Sequence, residues 1–365
     1  HEITKKKNLI TIPQLIADGY NYSDRKNILI ASSFIIIFSF TFYIASQFQG
    51  AGNALNDTFG LSIVESILLS AFVIYTYTYL GGYLAVSITD TIQGFLMAFT
   101  AIVMPVMAII NLGGFSELFR RLSMESGDFL SLSAGNLGLS ALGLIIGHLG
   151  IGLGYFGQPH LLSRFISVKD LKTLEKSRNY ALIWFCTVFI GMWLLGIAGH
   201  FMVEDLSNSE NIFFKVSSEV FHPAVQGILL AAVISAIMST ADSQILVCSS
   251  SISIDLGIQN NSLKLSRIVT GFVILSSALI AIMIPDKIFS RVLFAWTAMG
   301  SAFGPSVISK ILKWHVSASS ILISIIVGFI LAVIFFLLPN TPGDWLERVV
   351  PFLVGLCYLF LKKNN

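Results

Sequence analysis

"GIGLGYFGQPH", residues Gly150 to His160, sets four glycines and a proline inside a run that otherwise reads as membrane-spanning. Gly adds backbone freedom that a helix must remove, and Pro lacks the N–H that a helix needs. In hydrocarbon, unwound backbone survives only against protein or a watery cavity, because each N–H and C=O needs a partner. The stretch therefore predicts a helix broken within the membrane, with carbonyls and half-helix ends free to face a ligand. Tyr155 and Phe156 add aromatic surface, and Gln158 and Pro159 end the break. The rival reading is close helix packing through small residues, for which Gly150 and Gly154 have the right spacing. The aromatic pair and the Gln-Pro step favour a substrate site.

The rest of the chain agrees with a bilayer setting. Of its 365 residues 55% are hydrophobic and 12% charged, and the mean hydropathy is +0.81. That is not a soluble globular composition. Ten apolar runs, most of at least the roughly 20 residues that cross about 30 Å of hydrocarbon, lie near 28–49, 61–80, 84–112, 139–165, 179–203, 224–253, 266–284, 289–310, 318–338 and 347–361. They lack the period-two alternation of a barrel strand. The reading is an all-α integral membrane protein of about ten transmembrane helices, with residues 1–365 forming a single membrane domain. No linker separates soluble parts, and no 20–50-residue repeat is visible.

The net charge of +2 says little, but its distribution sets a topology. With the first span entering from the cytoplasm, sixteen basic residues fall on that side, within 5–7, 25–26, 164–178, 264–267, 310–313 and 362–363. Only Arg120, Arg121, Lys215, Lys287, Arg291 and Arg348 fall opposite, which completes the 22. The positive-inside rule then puts both termini in the cytoplasm. "KDLKTLEKSR" reads as a solvated loop of that surface, not a nucleic-acid site. Cys186, Cys248 and Cys357 all lie within spans, which suits neither a disulfide framework nor a metal cluster. No signal peptide is visible, and the chain opens at His1 with a polar stretch and a short amphipathic segment, "TIPQLIADGY".

Polar groups at bilayer depth are costly and mark the chemistry. In "AVISAIMSTADSQILVCSSS", Ser235, Ser239, Asp242 and Ser243 share one helical face, bordered by Thr240. Serines that bond back to their own helix are the plain account of such hydroxyls. A carboxylate joined by three hydroxyls instead predicts an ion site, and all-oxygen ligands suit a hard alkali cation. In "LAVSITDTIQGF", Ser87, Asp90 and Thr91 again share a face, so Asp90 belongs either to a cation path or to the water interface. "FAWTAMGSAFGPSV", residues 294–307, reads as a second interrupted segment with Gly300, Gly304 and Pro305. Gln47, Gln49 and Asn53 line either a vestibule or a helix contact.

Together, "GGYLAVSITDTIQ", "GLGYFGQPH", "MSTADSQILVCSSSI" and "AWTAMGSAFGP" resemble the sodium:solute symporter family, and within it the bacterial sodium/proline symporters, in the family's order and over nearly the whole chain. The resemblance implies an inverted-repeat, five-helix-bundle fold of the leucine-transporter type. It implies Na⁺ as coupling ion at Ala236 (through its carbonyl), Ser239 and Thr240. A second Na⁺ site would draw on Asp90, Asp242 and Ser243. Tyr155 and Pro159 match positions associated with proline binding, Tyr43 matches a substrate-lining tyrosine, and Gln158 joins them from the residue-level reading. Two departures stand out. Ile151 occupies the place of a family tryptophan linked to substrate, and Asp242 replaces a usual serine.

The family type has thirteen helices. The sequence reading finds ten and expects the first three, with the broken first core helix, to be missing. On that reading the chain as given should not transport. The implied function is Na⁺-coupled import of a small solute, L-proline first, across a bacterial inner membrane. Its partners are that solute and the lipid bilayer, with no organic cofactor, no nucleic acid and no obligate protein partner. The rivals are symport of another amino acid, a carboxylate or an osmolyte, and a solute sensor. No hydrolase motif appears, and the discrete polar sites do not make a channel's ring.

Overall fold

The computed structural model describes residues 2–125, 127–203, 208–257, 263–284, 287–339 and 341–363. Every regular element among them is helical. Two short helices, α1 (Glu2–Lys6) and α2 (Ile12–Ile16), precede the long α3 (Tyr22–Phe59) and α4 (Ile63–Asn111). Then come α5 (Phe115–Met124), α6 (Gly138–Gly150), a 3-10 turn over Ile151–Gly157, α7 (Pro159–Ser167) and α8 (Leu171–Met202). The remainder is α9 (Ile212–Val220), α10 (Pro223–Ser250) with a π-turn at Ser251–Asp255, α11 (Leu263–Met283), α12 (Ile288–Ile311), α13 (Ala318–Leu337) and α14 (Trp345–Leu361). Seven of the described helices are long and apolar enough to cross a membrane. In the acidic stretch "FMVEDLSNSE", residues 204–207 lie outside the described residues.

Local chemistry sets the ends. Asn21 caps α3 by accepting from the Asp24 N–H at 2.9 Å, and Gly60 closes it in the left-handed region at φ 67°. Two residues later Ser62 and Glu65 form a capping box that opens α4. Asp170 caps α8 through the Thr173 N–H at 2.8 Å, and that bond holds its carboxyl below the usual range.

The interior of the bundle is α12 and α3. Of their apolar windows 89% and 61% are buried, against 22–33% for the other spanning helices. Those helices turn Phe95, Phe99 and Phe189 outward, as helices with a lipid-facing side do. The main core joins α3, α10, α11 and α12 around Phe40, Phe48, Met299 and Phe303. A second core gathers Met104, Ala108, Leu195, Val216 and Leu229.

Two elements depart from the sequence expectation. The spans 61–80 and 84–112 are one helical element, α4, of 49 residues. Ser70 and Val73 line a small cavity with Ile237 of α10. Met104 and Ala108 share a core with Leu229 of that same helix. On a straight helix Ser70 and Ala108 would stand about 57 Å apart, whereas Leu229 and Ile237 are separated by about 12 Å. The chain therefore doubles back within α4, and both expected spans are present as its antiparallel halves. The sequence puts the pair Gly81–Gly82 between them.

The second departure is α12. The expected interruption at Gly300–Pro305 is absent, and helix runs through Pro305. The small residues serve close packing instead. A Cβ on Gly300 would lie 2.6 Å from the Gly154 Cα, and one on Gly304 2.4 Å from the Phe352 ring. Pro305 has no N–H for the Ser301 carbonyl four residues back. Gly328 of α13 packs so close to that oxygen that a Cβ there would stand 2.3 Å away.

The basic end of the bundle is strapped by residues 2–20. The Thr11 hydroxyl donates to Asp255 at 2.6 Å, at the end of the π-turn. Lys310 donates to the Asp18 carbonyl at 2.7 Å, and the Tyr20 hydroxyl donates to the Val316 carbonyl at 2.8 Å. Lys5 reaches the Lys169 carbonyl. At the opposite end, Glu210 accepts from the first N–H groups of α12, Ile288 at 3.3 Å and Phe289 at 3.1 Å. A carboxylate is well placed there against the positive end of the helix dipole.

Candidate functional site

The break read from the sequence is present, and α12 shapes it. α6 ends at Gly150, the chain tightens into the 3-10 turn, and Pro159 starts α7 at a position that needs no N–H. The Trp296 indole N–H donates to the Ile151 carbonyl at 2.9 Å, at the head of the turn. The Gln158 amide donates at its foot to the Trp296 carbonyl at 2.8 Å and to the Gly154 carbonyl at 3.2 Å. Backbone freed by the break is thus bonded from a neighbouring helix, as a low-dielectric setting demands. Glycine is needed where α12 lies on the turn. A Cβ at Gly154 would stand 2.1 Å from the Trp296 Nε1, and one at Gly157 2.4 Å from the Met299 carbonyl oxygen.

The residues expected at the solute site form a chain of rings. Tyr43 of α3 is buried and stands 6.2 Å from the His160 ring. His160 stands 6.4 Å from Trp296, and Trp296 meets Tyr155 edge to face at 4.7 Å. Pro159 is buried between the turn and His160. Gln158 is wholly buried, with its amide N–H groups on backbone carbonyls and its Oε1 without a hydrogen-bond partner. Trp296 and His160 were not among the expected site residues. Trp296 stood in a quoted motif, but no spacing rule links it to a turn 145 residues away.

The ion-site residues divide into two groups. On α10 the Ser239 and Thr240 hydroxyls both donate to the Ala236 carbonyl at 3.0 Å, which collects three oxygens on one turn. Back-bonding of this kind satisfies the hydroxyl protons and leaves their lone pairs for a cation. One turn further, the Arg164 guanidinium of α7 joins the second group. It bonds Asp90 at 2.5 Å, Ser243 at 2.7 Å and Ser87 at 3.1 Å, and it lies over the Tyr83 ring at 5.5 Å. The other Asp90 oxygen, Oδ1, is buried without a hydrogen-bond partner. Asp242 is fully buried beside Ser243.

Arg164 was read from sequence only as a loop charge. In the structure it holds the place beside Asp90 where the sequence reading put a metal cation. A cavity of about 500 Å³ lies beside this second group, lined by Thr4, Asn8, Tyr83, His160, Arg164 and Ser243. Gln49 and Asn53 pair along α3 at 3.1 Å, and Gln47 reaches Ser46 at 3.2 Å, so these amides are used within their own helix. The three cysteines are free. No three His, Cys, Asp or Glu side chains converge among the described residues.

A broken helix clasped by a central partner, with a hydroxyl-lined helix beside it, defines a multi-pass membrane transporter. The chain belongs to the sodium:solute symporter family, whose model matches residues 1–328. It is 33% identical over 347 residues to the sodium/proline symporter of Salmonella typhimurium, across 90% of this chain and 67% of that protein. It is 34% identical over 341 residues to sodium/proline symporter 2 of Staphylococcus saprophyticus, across 89% of this chain and 65% of that one. The chain thus spans about two thirds of the length of these relatives. A Na⁺-coupled sialic acid symporter, solved substrate-bound and outward-open, aligns with all of this chain and 80% of its own at a TM-score of 0.73 and 19% identity. That likeness carries the fold, the inverted-repeat, leucine-transporter-like bundle expected from the motifs.

Proposed function

We propose that this chain forms most of a secondary active transporter that imports a small zwitterionic solute, L-proline first, together with Na⁺ by alternating access. It sits as one membrane domain, residues 1–365, in a bacterial inner membrane with both termini cytoplasmic. The observation that carries this reading is the three-oxygen cluster of Ala236, Ser239 and Thr240 on α10, one turn from the contact with α7. Na⁺ held there would tie α10 to neighbouring helices and steady the broken segment. Asp90, Asp242 and Ser243 would serve a second cation, which would take the place that Arg164 holds beside Asp90 in this structure. Tyr43, Tyr155, Gln158 and Pro159 would face the solute. The membrane potential contributes about 2.3 kcal/mol per charge per 100 mV to uptake.

The names of the relatives support proline. Ile151, in place of the family's tryptophan, favours as second reading another amino acid, a carboxylate or an osmolyte. The test is uptake of labelled proline by the full-length protein in cells without other proline carriers, with Na⁺ and then K⁺ outside. Uptake with Na⁺ alone, lost in Ser239→Ala and Thr240→Val at matched abundance, is the expected result. Uptake indifferent to Na⁺ would overturn the coupling. No proline uptake by protein present in the membrane would overturn the choice of solute.

A further inference from the structure

We propose that Trp296 is a specificity-determining residue of the solute site, and that it supplies from α12 the aromatic wall that Ile151 does not provide. The inference rests on the transporter reading above. Trp296 is anchored at both ends of the break, since its indole N–H bonds the Ile151 carbonyl and its own carbonyl accepts from Gln158. These two bonds fix the ring relative to the whole 3-10 turn. Gly154 leaves the space that the indole fills, because any side chain there would begin 2.1 Å from the Nε1. The indole is also the link between the two expected solute rings on different helices. Tyr155 stacks against it edge to face at 4.7 Å, and His160 relays to Tyr43.

A small zwitterion with a saturated ring suits this arrangement. Its ring would lie against aromatic faces, its ammonium would meet carbonyl oxygens of the break, and its carboxylate would accept from the Tyr155 hydroxyl. An indole is a rigid wall with a fixed reach, so it discriminates by ring size. Shortening it opens room for a larger ring, and removing its N–H unties the turn from α12.

The experiment compares Trp296→Phe and Trp296→Leu with wild type in the full-length protein. Uptake is measured for L-proline and for its four- and six-membered-ring homologues, azetidine-2-carboxylate and pipecolate, together with the Na⁺ concentration for half-maximal rate. The preference for proline over pipecolate should fall about tenfold in Trp296→Leu, the size of one lost close contact or hydrogen bond. It should fall about threefold in Trp296→Phe, whose ring is shorter but still present. At saturating solute, Na⁺ half-saturation should stay within about twofold in both, because the oxygens of α10 are untouched.

A ring-size preference unchanged in both variants at matched abundance would overturn the inference while leaving the transporter reading in place. A rise in Na⁺ half-saturation that persists at saturating solute would also overturn it, since that marks general disruption. Should Trp296→Leu fail to reach the membrane, Trp296→Phe decides alone. A wild type that takes up none of the three solutes would overturn the proposed function, and this inference with it.

Discussion

Gly157→Ala adds one methyl group where α12 crosses the break, and the structure sets its cost. The new Cβ would stand 2.4 Å from the Met299 carbonyl oxygen, 2.7 Å from the Gly300 Cα and 2.8 Å from the Gly300 carbonyl oxygen. All three are backbone atoms, so no side chain can swing aside. Relief requires α12 to move off the turn by about 1 Å, the shortfall from an ordinary carbon–oxygen contact. That shift would stretch the Trp296–Ile151 and Gln158–Trp296 bonds on either side of it. Overpacking of this kind costs about 1–3 kcal/mol. For a chain of this size the corresponding fall in Tm is about 1–4 °C.

Gly152 supplies the control from the same turn. A Cβ there meets nothing within 4 Å, so Gly152→Ala should change stability by less than about 0.5 kcal/mol. The assay is thermal unfolding of the detergent-purified full-length protein, followed by fluorescence-detected size exclusion. Equal Tm values for the two alanine variants would refute the argument that contact with α12, and not glycine content, sets the geometry of the break.

Two further outcomes follow from ion pairs. Asp90→Asn and Arg164→Gln each leave a half-buried charge without its partner, so the double variant should lose less stability than the two singles summed. The coupling should be about 0.5–1 kcal/mol after solvent screening, and additivity within about 0.3 kcal/mol in a thermal double-mutant cycle would count against the pair. On α5, Glu117 accepts from Arg120 and Arg121, which hold its carboxyl at about 2, below the ordinary 4.5. A depressed carboxyl stabilises above its unfolded value and loses that contribution as pH falls through the folded one. Hydrogen exchange of 115–124, corrected for intrinsic rate, should thus be flat down to about pH 4.5 and rise toward pH 2. Glu117→Gln should show the raised exchange throughout, and a wild-type rise centred near pH 4.5 would contradict the clamp.

The break was legible because its signals are local. Glycines at 150, 152, 154 and 157 and the following proline act on the backbone of their own segment. The hydroxyl stripe of α10 was legible for the same reason, since helical periodicity alone aligns Ser239 with Ser243. What stayed hidden depends on contacts between distant parts. Arg164 lies 74 residues from Asp90, and nothing in "SRF" separates a loop charge from one that turns inward. Trp296 was hidden likewise, although "FAWTAMGSAFGP" was noted. Its glycines were read as weak points of a helix, whereas they make α12 a close neighbour of the turn. The two spans that share α4 were legible as two apolar runs flanking Gly81–Gly82; the helical hydrogen bonding that carries on between them left no mark in the sequence.

Mechanically, α12 is a beam fixed at both supports. Glu210 grips its first turn and the Lys310–Asp18 bond grips its last. A member held this way does not swing when pushed at an end; it bows. Its softest section is Ser301–Pro305, where one rung of the ladder is missing. Curvature introduced there rotates the upstream half, which carries Trp296 and the carbonyl that Gln158 holds. Work of about a few kcal/mol done on the beam near either support would thus reach the break as a change of angle, with both ends still in place.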